Sequence, residues 1–310
     1  MKIIKELVYS EQPTSVALGF FDGIHVGHVS VIRDAVDYAK EHHLVSTVFT
    51  LLQSPRSVLF NEKVEGIITL EEKLHLIENL GVRQVYLIDF RQIRNMTAEE
   101  FVSDVLKDCF HACHAVCGFN YHFGRAALGN RSVLKELCSR EGISSSSQEQ
   151  VCYQNLPVSS TRIRKCIAQG DIASANAMLG RKYGFCLPVV HGRKLGRQWG
   201  TPTLNQIFPQ GLVCPQFGVY ASEVMVEGER FCGVTNIGVK PTVGSDSVLI
   251  ETWMPDYHGN ELYDKMIDIR LIEHIRGERK FESIDLLKQE ILHNAQQAKE
   301  IFCRRNNKKE

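Results

Sequence analysis

The chain has 310 residues, 44% of them hydrophobic and 23% charged, and its 36 basic and 36 acidic residues leave a formal net charge of zero. That length predicts two domains, each able to bury a core, and the charge balance carries no electrostatic footprint for nucleic acid. No run approaches the roughly eighteen apolar residues of a membrane span, and the Met1-Lys2-Ile3-Ile4-Lys5 start lacks a signal peptide's apolar stretch, so a cytoplasmic protein with no membrane partner is expected.

The first element is a short apolar run over residues 15–21, read as a buried strand. It ends in Leu18-Gly19-Phe20-Phe21-Asp22-Gly23-Ile24-His25-Val26-Gly27-His28, where an amphipathic helical pattern begins at about residue 28. Strand, glycine-bearing turn and helix start make an anion site, because the first helical amides are unpaired and the helix dipole favours negative charge. His25 and His28 stand where they can donate hydrogen bonds to phosphate oxygens. No serine, cysteine or lysine nucleophile accompanies them, which points to charge stabilisation and not to a covalent intermediate. The competing structural reading is a polar loop with two solvent histidines.

Further along, residues 45–52 read as a strand and residues 70–80 as a helix stopped by Gly81. Residues 83–90 read as another strand. Thr97-Ala98-Glu99-Glu100 fits a capping box that opens a helix to about residue 109. Residues 115–119 predict a strand, residues 131–140 a helix ended by Gly142, and Ser144-Ser145-Ser146-Ser147 a loop. The ten cysteines show no disulfide framework and fit a reducing compartment; Cys109, Cys113 and Cys117, with His111 and His114 between them, read as small core residues or a zinc site, though their spacing matches no closed tetrahedral pattern. Apolar strands alternating with helices imply a parallel sheet covered on both faces, with ligands at the carboxyl ends of its strands.

Two more segments of this half suit a nucleotide. Cys117-Gly118-Phe119-Asn120-Tyr121-His122-Phe123-Gly124 has the aromatic and glycine content of a loop lying flat on a planar ligand, or of a strand end with core aromatics. Val158-Ser159-Ser160-Thr161-Arg162-Ile163-Arg164 opens a helix with hydroxyls and guanidinium groups, suited to phosphate or simply to a capped helix with surface arginines.

After about residue 184 the texture changes to closely spaced strands at 219–226, 231–237, 248–253 and 265–272, with a turn at Glu227-Gly228 and a closing helix from 284 to about 302. Such spacing predicts an antiparallel barrel or sandwich. Gly192-Arg193-Lys194-Leu195-Gly196-Arg197-Gln198-Trp199-Gly200-Thr201-Pro202-Thr203-Leu204-Asn205 has glycines that admit phosphates closely, or forms a basic turn. Thr203 and Asn205, two residues apart on an extended chain, present oxygens to one side and can reach one Mg²⁺. Glu251, a lone carboxylate in the apolar Val248-Leu249-Ile250-Glu251-Thr252-Trp253, is a candidate general base for a substrate hydroxyl or a strand-edge glutamate facing water.

These motifs, in their order, resemble the bifunctional riboflavin kinase and FAD synthetase family. The histidine segment resembles the His-x-Gly-His signature of nucleotidyltransferases in its flavin form, and residues 117–124 and 158–164 resemble two further signatures of the same domain. The segment from Gly192 to Asn205 resembles the Gly-Arg-x-x-Gly-x-Pro-Thr-Ala-Asn element of riboflavin kinase, with Leu204 in place of alanine. Gly218-Val219-Tyr220, Asn236-Ile237-Gly238, Arg276 and Lys280-Phe281 also match.

The resemblance implies a Rossmann-like α/β parallel-sheet nucleotidyltransferase domain over 1–182 and an antiparallel β-barrel domain with a C-terminal helix over 183–310. It implies riboflavin phosphorylated to FMN, then FMN adenylylated to FAD, with ATP as co-substrate and Mg²⁺ as cofactor. His25 and His28 would be catalytic, with Gly19, Phe21, Asp22, Gly27, Asn120, Ser160, Thr161 and Arg164 around FMN and ATP. Glu251 would be the kinase base, Thr203 and Asn205 the metal ligands, and Gly192, Gly196, Arg197 and Arg276 nucleotide contacts. One departure stands out: the family's Pro-His-Pro element is Gln53-Ser54-Pro55 here, without the histidine. A kinase whose first half only binds flavin nucleotide, and a non-catalytic flavin sensor, are the alternatives this leaves open.

Overall fold

The structure, a computed structural model, describes residues 1–192, 200–242 and 245–306. The chain divides into two compact units, Met1–Ser160 and Thr161–Glu310.

The first unit is built on a six-stranded sheet in the order β1-β4-β3-β2-β5-β6, with every neighbouring pair parallel. Its strands are β1 (Lys2–Ile4), β2 (Thr14–Leu18), β3 (Val45–Leu51), β4 (Gln84–Ile88), β5 (Ala112–Gly118) and β6 (Ser144–Gln148), and a short antiparallel pair, β7 (Cys152–Tyr153) and β8 (Leu156–Pro157), follows. Helix α1 (Val26–Glu41) packs on β2, β3 and β5 through Val31, Ile32, Ala35, Val36 and Ala39. A short helix α2 (Pro55–Phe60) follows β3, and α3 (Leu70–Asn79) precedes β4. Helix α3 ends at Leu80, and Gly81 takes φ +90, so the glycine stop stands where the sequence predicts it.

The capping box is present in both directions: the Glu100 amide donates to Thr97 Oγ1 and the Thr97 amide donates to the Glu100 carboxylate. The helix it opens, α4 (Ala98–Glu100), winds from Phe101 to Cys109 as a π-helix, with the Phe110 amide reaching five residues back to Val105. Its Phe101, Val105 and Leu106 share a core with Val16 and Leu18 of β2 and with Leu134 and Leu137 of α5 (Arg131–Arg140). Hydrophobic burial of these faces fixes the layers.

The four serines at 144–147 are not a loop. They form most of β6, the edge strand paired with β5. The hydroxyls of Ser144 and Ser146 are taken up by side chains: His114 Nδ1 lies 2.6 Å from Ser144 Oγ and its Nε2 3.2 Å from Ser146 Oγ, while Ser146 donates to Asp34 of α1 at 2.7 Å. Side-chain hydrogen bonds of this kind let a polar run hold an edge position without apolar alternation.

The second unit begins with α6 (Ser160–Ala168) and α7 (Ile172–Leu179) and continues as an antiparallel sheet in the order β10-β13-β12-β11-β14-β9. Its strands are β9 (Gly184–Pro188), β10 (Thr203–Ile207), β11 (Gly218–Val226), β12 (Glu229–Thr242), β13 (Ser245–Trp253) and β14 (Met266–Gly277). The Glu227-Gly228 turn joins β11 to β12 with φ +49 and +89, the left-handed pair a two-residue hairpin requires. A bridge from the Val190 amide to the Asn205 carbonyl (2.7 Å) brings the chain beyond β9 to β10, so the sheet curls towards closure. Gln206, fully buried, reinforces this by donating to the carbonyls of Leu187 (2.7 Å) and Ile267 (2.8 Å). The closing helix α8 (Ile284–Asn306) lays Ala295 and Ala298 on Val219, Ala221 and Val234.

Candidate functional sites

In the first sheet, successive strands step outward from β2 through β3 to β4 on one side, and from β5 to β6 on the other. The reversal lies between β2 and β5. Crevices outside the carboxyl ends of strands at such a reversal are where open α/β sheets bind ligands. Residues 19–22 leave β2 there, beside Gly118 at the end of β5 and Leu51 at the end of β3.

His25 is the N-cap of α1, and its Nδ1 accepts the His28 amide at 3.2 Å. An accepting Nδ1 places the ring proton on Nε2, which is then a donor for an anion. The His28 ring stacks on it with centroids 3.5 Å apart and planes 17° from parallel. Phe21 meets His28 edge-on at 5.3 Å. Gly19 admits this packing, since a Cβ there would lie 2.8 Å from the Phe21 ring. Gly27 faces the His25 ring, which a Cβ would approach to 3.3 Å. The buried Asp22 accepts the Ile67 amide on Oδ1 (3.0 Å), and its carbonyl accepts Ser160 Oγ (2.9 Å).

Thus Gly19, Phe21, Asp22, His25, Gly27, His28 and Ser160 come together at one helix start. Asn120 is exposed beyond β5, where its carbonyl lies 3.0 Å from His122 Nδ1. The aromatics beside it turn inward: Phe123 is buried against Phe101, and Tyr121 stacks on Phe123, so that loop's aromatic content largely serves the core. Thr161 and Arg164 lie on α6 in the second unit, Arg164 one turn after Ser160 on the same helix face. Ser54 and Pro55 open α2.

In the second sheet, register gathers the other predicted residues. Asn205 pairs with Glu251, Glu251 with Asn236, Asn236 with Val219, and Val219 with Arg276, forming one row across five strands. Thr203 lies two positions along β10 from Asn205, so it shares that face. The face is the one α8 covers, because Val219 and its neighbours pack on that helix. Glu251 is half-buried, Asn205 is buried and Thr203 is exposed. Gly192 is pressed against Asn205: a Cβ would stand 2.8 Å from its Cγ and closer still to its Nδ2. A hydroxyl, an amide and a carboxylate side by side are hard oxygen donors of the kind Mg²⁺ takes.

Arg276 is bound to the closing helix through Asn294 (3.0 Å) and Glu290 (3.0 Å). Gly196 and Arg197 lie outside the described residues. Asn236 was quoted above only as part of a matching segment; register makes it the second amide flanking Glu251.

Two family models match the chain: FAD synthetase over residues 8–162 and riboflavin kinase over residues 179–302. A bifunctional riboflavin kinase/FMN adenylyltransferase of Bacillus subtilis (strain 168) is 34% identical over 304 residues, covering 96% of this chain and 95% of its own. One of the same description from Escherichia coli (strain K12) is 31% identical, covering 93% and 92%. Among solved structures, one described as a macrolide-efflux protein from Streptococcus pneumoniae superposes with a TM-score of 0.87 at 27% identity, covering 96% of this chain and 98% of its own.

Proposed function

The chain belongs to the bifunctional riboflavin kinase/FMN adenylyltransferase family, and from that premise we infer that it converts riboflavin to FMN and FMN to FAD, using ATP in each step. We assign adenylyl transfer to residues 1–182 and phosphorylation to residues 183–310, acting in the cytoplasm on small-molecule substrates.

The observation that carries the first half is the stacked imidazole pair at the start of α1, beside the sheet's reversal. In adenylyl transfer the phosphate of FMN attacks the α-phosphorus of ATP and pyrophosphate leaves. His25 Nε2, the His28 ring and the first amides of α1 meet the charge that develops on the transferring group. Gly19 and Gly27 give the Phe21 and His25 rings their room, Asn120 and Ser160 contact FMN and ATP, and the family resemblance extends that role to Thr161 and Arg164. Gln53-Ser54-Pro55 offers no imidazole, and in this reading the α1 pair and the first amides of α1 supply the charge stabilisation.

The second half rests on the row Asn205, Glu251, Asn236. Glu251 takes the proton of the ribityl terminal hydroxyl as that oxygen attacks the γ-phosphorus of ATP, the bond to the β,γ-bridging oxygen breaks and ADP leaves. Thr203 and Asn205 would hold Mg²⁺, which neutralises charge on the triphosphate. Gly192, Gly196 and Arg197 flank the nucleotide, and Arg276 ties this end of the row to α8. Incubating the protein with riboflavin, ATP and Mg²⁺ and resolving the flavins over time tests the reading: FMN followed by FAD supports it, and FMN alone would favour a kinase with a flavin-binding first half.

A further inference from the structure

Lys73 stands in the first turn of α3 and is 6% exposed, an amine turned inward with Ile77. The chemistry above does not use it. Its Nζ donates to the Phe20 carbonyl at 2.6 Å and lies 4.6 Å from the centroid of the Phe20 ring. Thr50 Oγ1 donates to that same carbonyl at 2.9 Å. The carbonyl is therefore satisfied without the lysine, while burying an ammonium group costs stability. Desolvation lowers its pKa from 10.5 to about 8, with Asp22 pulling the other way. A second donor on a satisfied carbonyl adds direction more than stability.

The segment carrying Lys73 grips the same loop at two further points. The Ile67 amide donates to Asp22 Oδ1, and the Ile67 side chain fills the space under Gly23, where a Cβ would stand 2.8 Å from its Cδ1. Among and just beyond these anchors Phe21 and Ile24 take φ +55 and +41, left-handed values that non-glycine residues keep only when their surroundings enforce them. Phe21 then places its ring edge against His28.

We propose that Lys73 is a positioning residue for adenylyl transfer: it fixes the Phe20 peptide so that Phe21 holds the His28 imidazole in register with the reacting phosphate. The inference rests on the adenylyltransferase reading of the first unit. It is tested in the full chain with Lys73→Met and Lys73→Arg, measuring kcat and KM for FAD formation from FMN and ATP, FMN formation from riboflavin and ATP, and thermal unfolding of each variant. Methionine fills a similar volume and removes both the buried charge and its attraction to Asp22, two opposed effects on stability, so the unfolding midpoint is read beside each rate. Its kcat for FAD falls about 10- to 100-fold, the effect of a displaced catalytic group, while KM for FMN and ATP stays near the wild-type values. FMN formation continues at the wild-type rate, and Lys73→Arg recovers most of the lost kcat. An unchanged FAD rate in Lys73→Met overturns the role, as does a loss that tracks a lowered midpoint or a raised KM, or one that arginine does not repair. A wild-type chain making FMN but no FAD overturns the functional reading itself, and the role of Lys73 with it.

Discussion

Gly192→Ala is the substitution whose effect the geometry defines most closely. The added methyl would stand 2.8 Å from Asn205 Cγ and 3.1 Å from its Oδ1, where ordinary carbon contacts are about 3.5–4.0 Å. The Asn205 main chain is held, its carbonyl accepting the Val190 amide at 2.7 Å, and the residue is buried, so the side-chain amide has little room to give way. The methyl is therefore accommodated by turning the amide off its rotamer or shifting the backbone, an overpacking cost of about 1–3 kcal/mol. Displacing the amide oxygen by about 1 Å from a bound cation costs up to about 100-fold in rate. We predict that kcat/KM for FMN formation falls about 10- to 100-fold, whereas FAD formation from supplied FMN is unaffected. The assay resolves riboflavin, FMN and FAD chromatographically in two reactions, one started from riboflavin and one from FMN. FMN formation at the wild-type rate would refute the placement of Asn205 in the kinase site.

Other outcomes follow from the same geometry. His28→Ala lowers FAD formation by about 100-fold or more, the value of one lost donor to a developing oxyanion, with FMN formation retained, and a chromatographic FAD assay reads it. Glu251→Gln reduces FMN formation by about 10²- to 10⁴-fold while leaving FAD synthesis from supplied FMN intact. Gln206→Leu removes the donors to Leu187 and Ile267 and lowers the unfolding free energy by about 1–3 kcal/mol in a denaturant titration. Lys73 binds its proton more weakly in the fold than in the unfolded chain, so the unfolded state holds more protons between about pH 8 and 10.5 and stability from this residue rises with pH across that window. Denaturation of Lys73→Met and wild type at pH 7.5 and 10.5 checks this: whatever stability advantage the methionine has must shrink at the higher pH.

Much of the site was legible because its chemistry is local in the chain. The turn at Asp22-Gly23, the imidazoles three residues apart and the helix start lie within a dozen residues, and the fold keeps them together. The capping box at Thr97 and the glycine stop at Gly81 are likewise short-range signals. What escaped depends on long-range pairing. The serine strand β6 lacks apolar alternation, and what holds it, the pairing with β5 and the side chains of His114 and Asp34, lies far off in sequence. Asn236 flanks Glu251 through register between strands, which spacing along one strand does not reveal. Lys73 left a faint trace, a lysine on the stripe of Leu70 and Ile77, where an inward-facing residue is normally apolar. Nothing local marks the π-winding of residues 101–109.

The central claim is that one chain carries two separate phosphorus-transfer sites, and a paired-variant time course tests it most directly. Riboflavin, ATP and Mg²⁺ are given to wild type, His28→Ala and Glu251→Gln, each with and without added FMN. Wild type is expected to give FMN then FAD, His28→Ala to stop at FMN, and Glu251→Gln to give FAD chiefly when FMN is supplied. Loss of both activities in either folded variant, or FAD formation that survives His28→Ala, would contradict it.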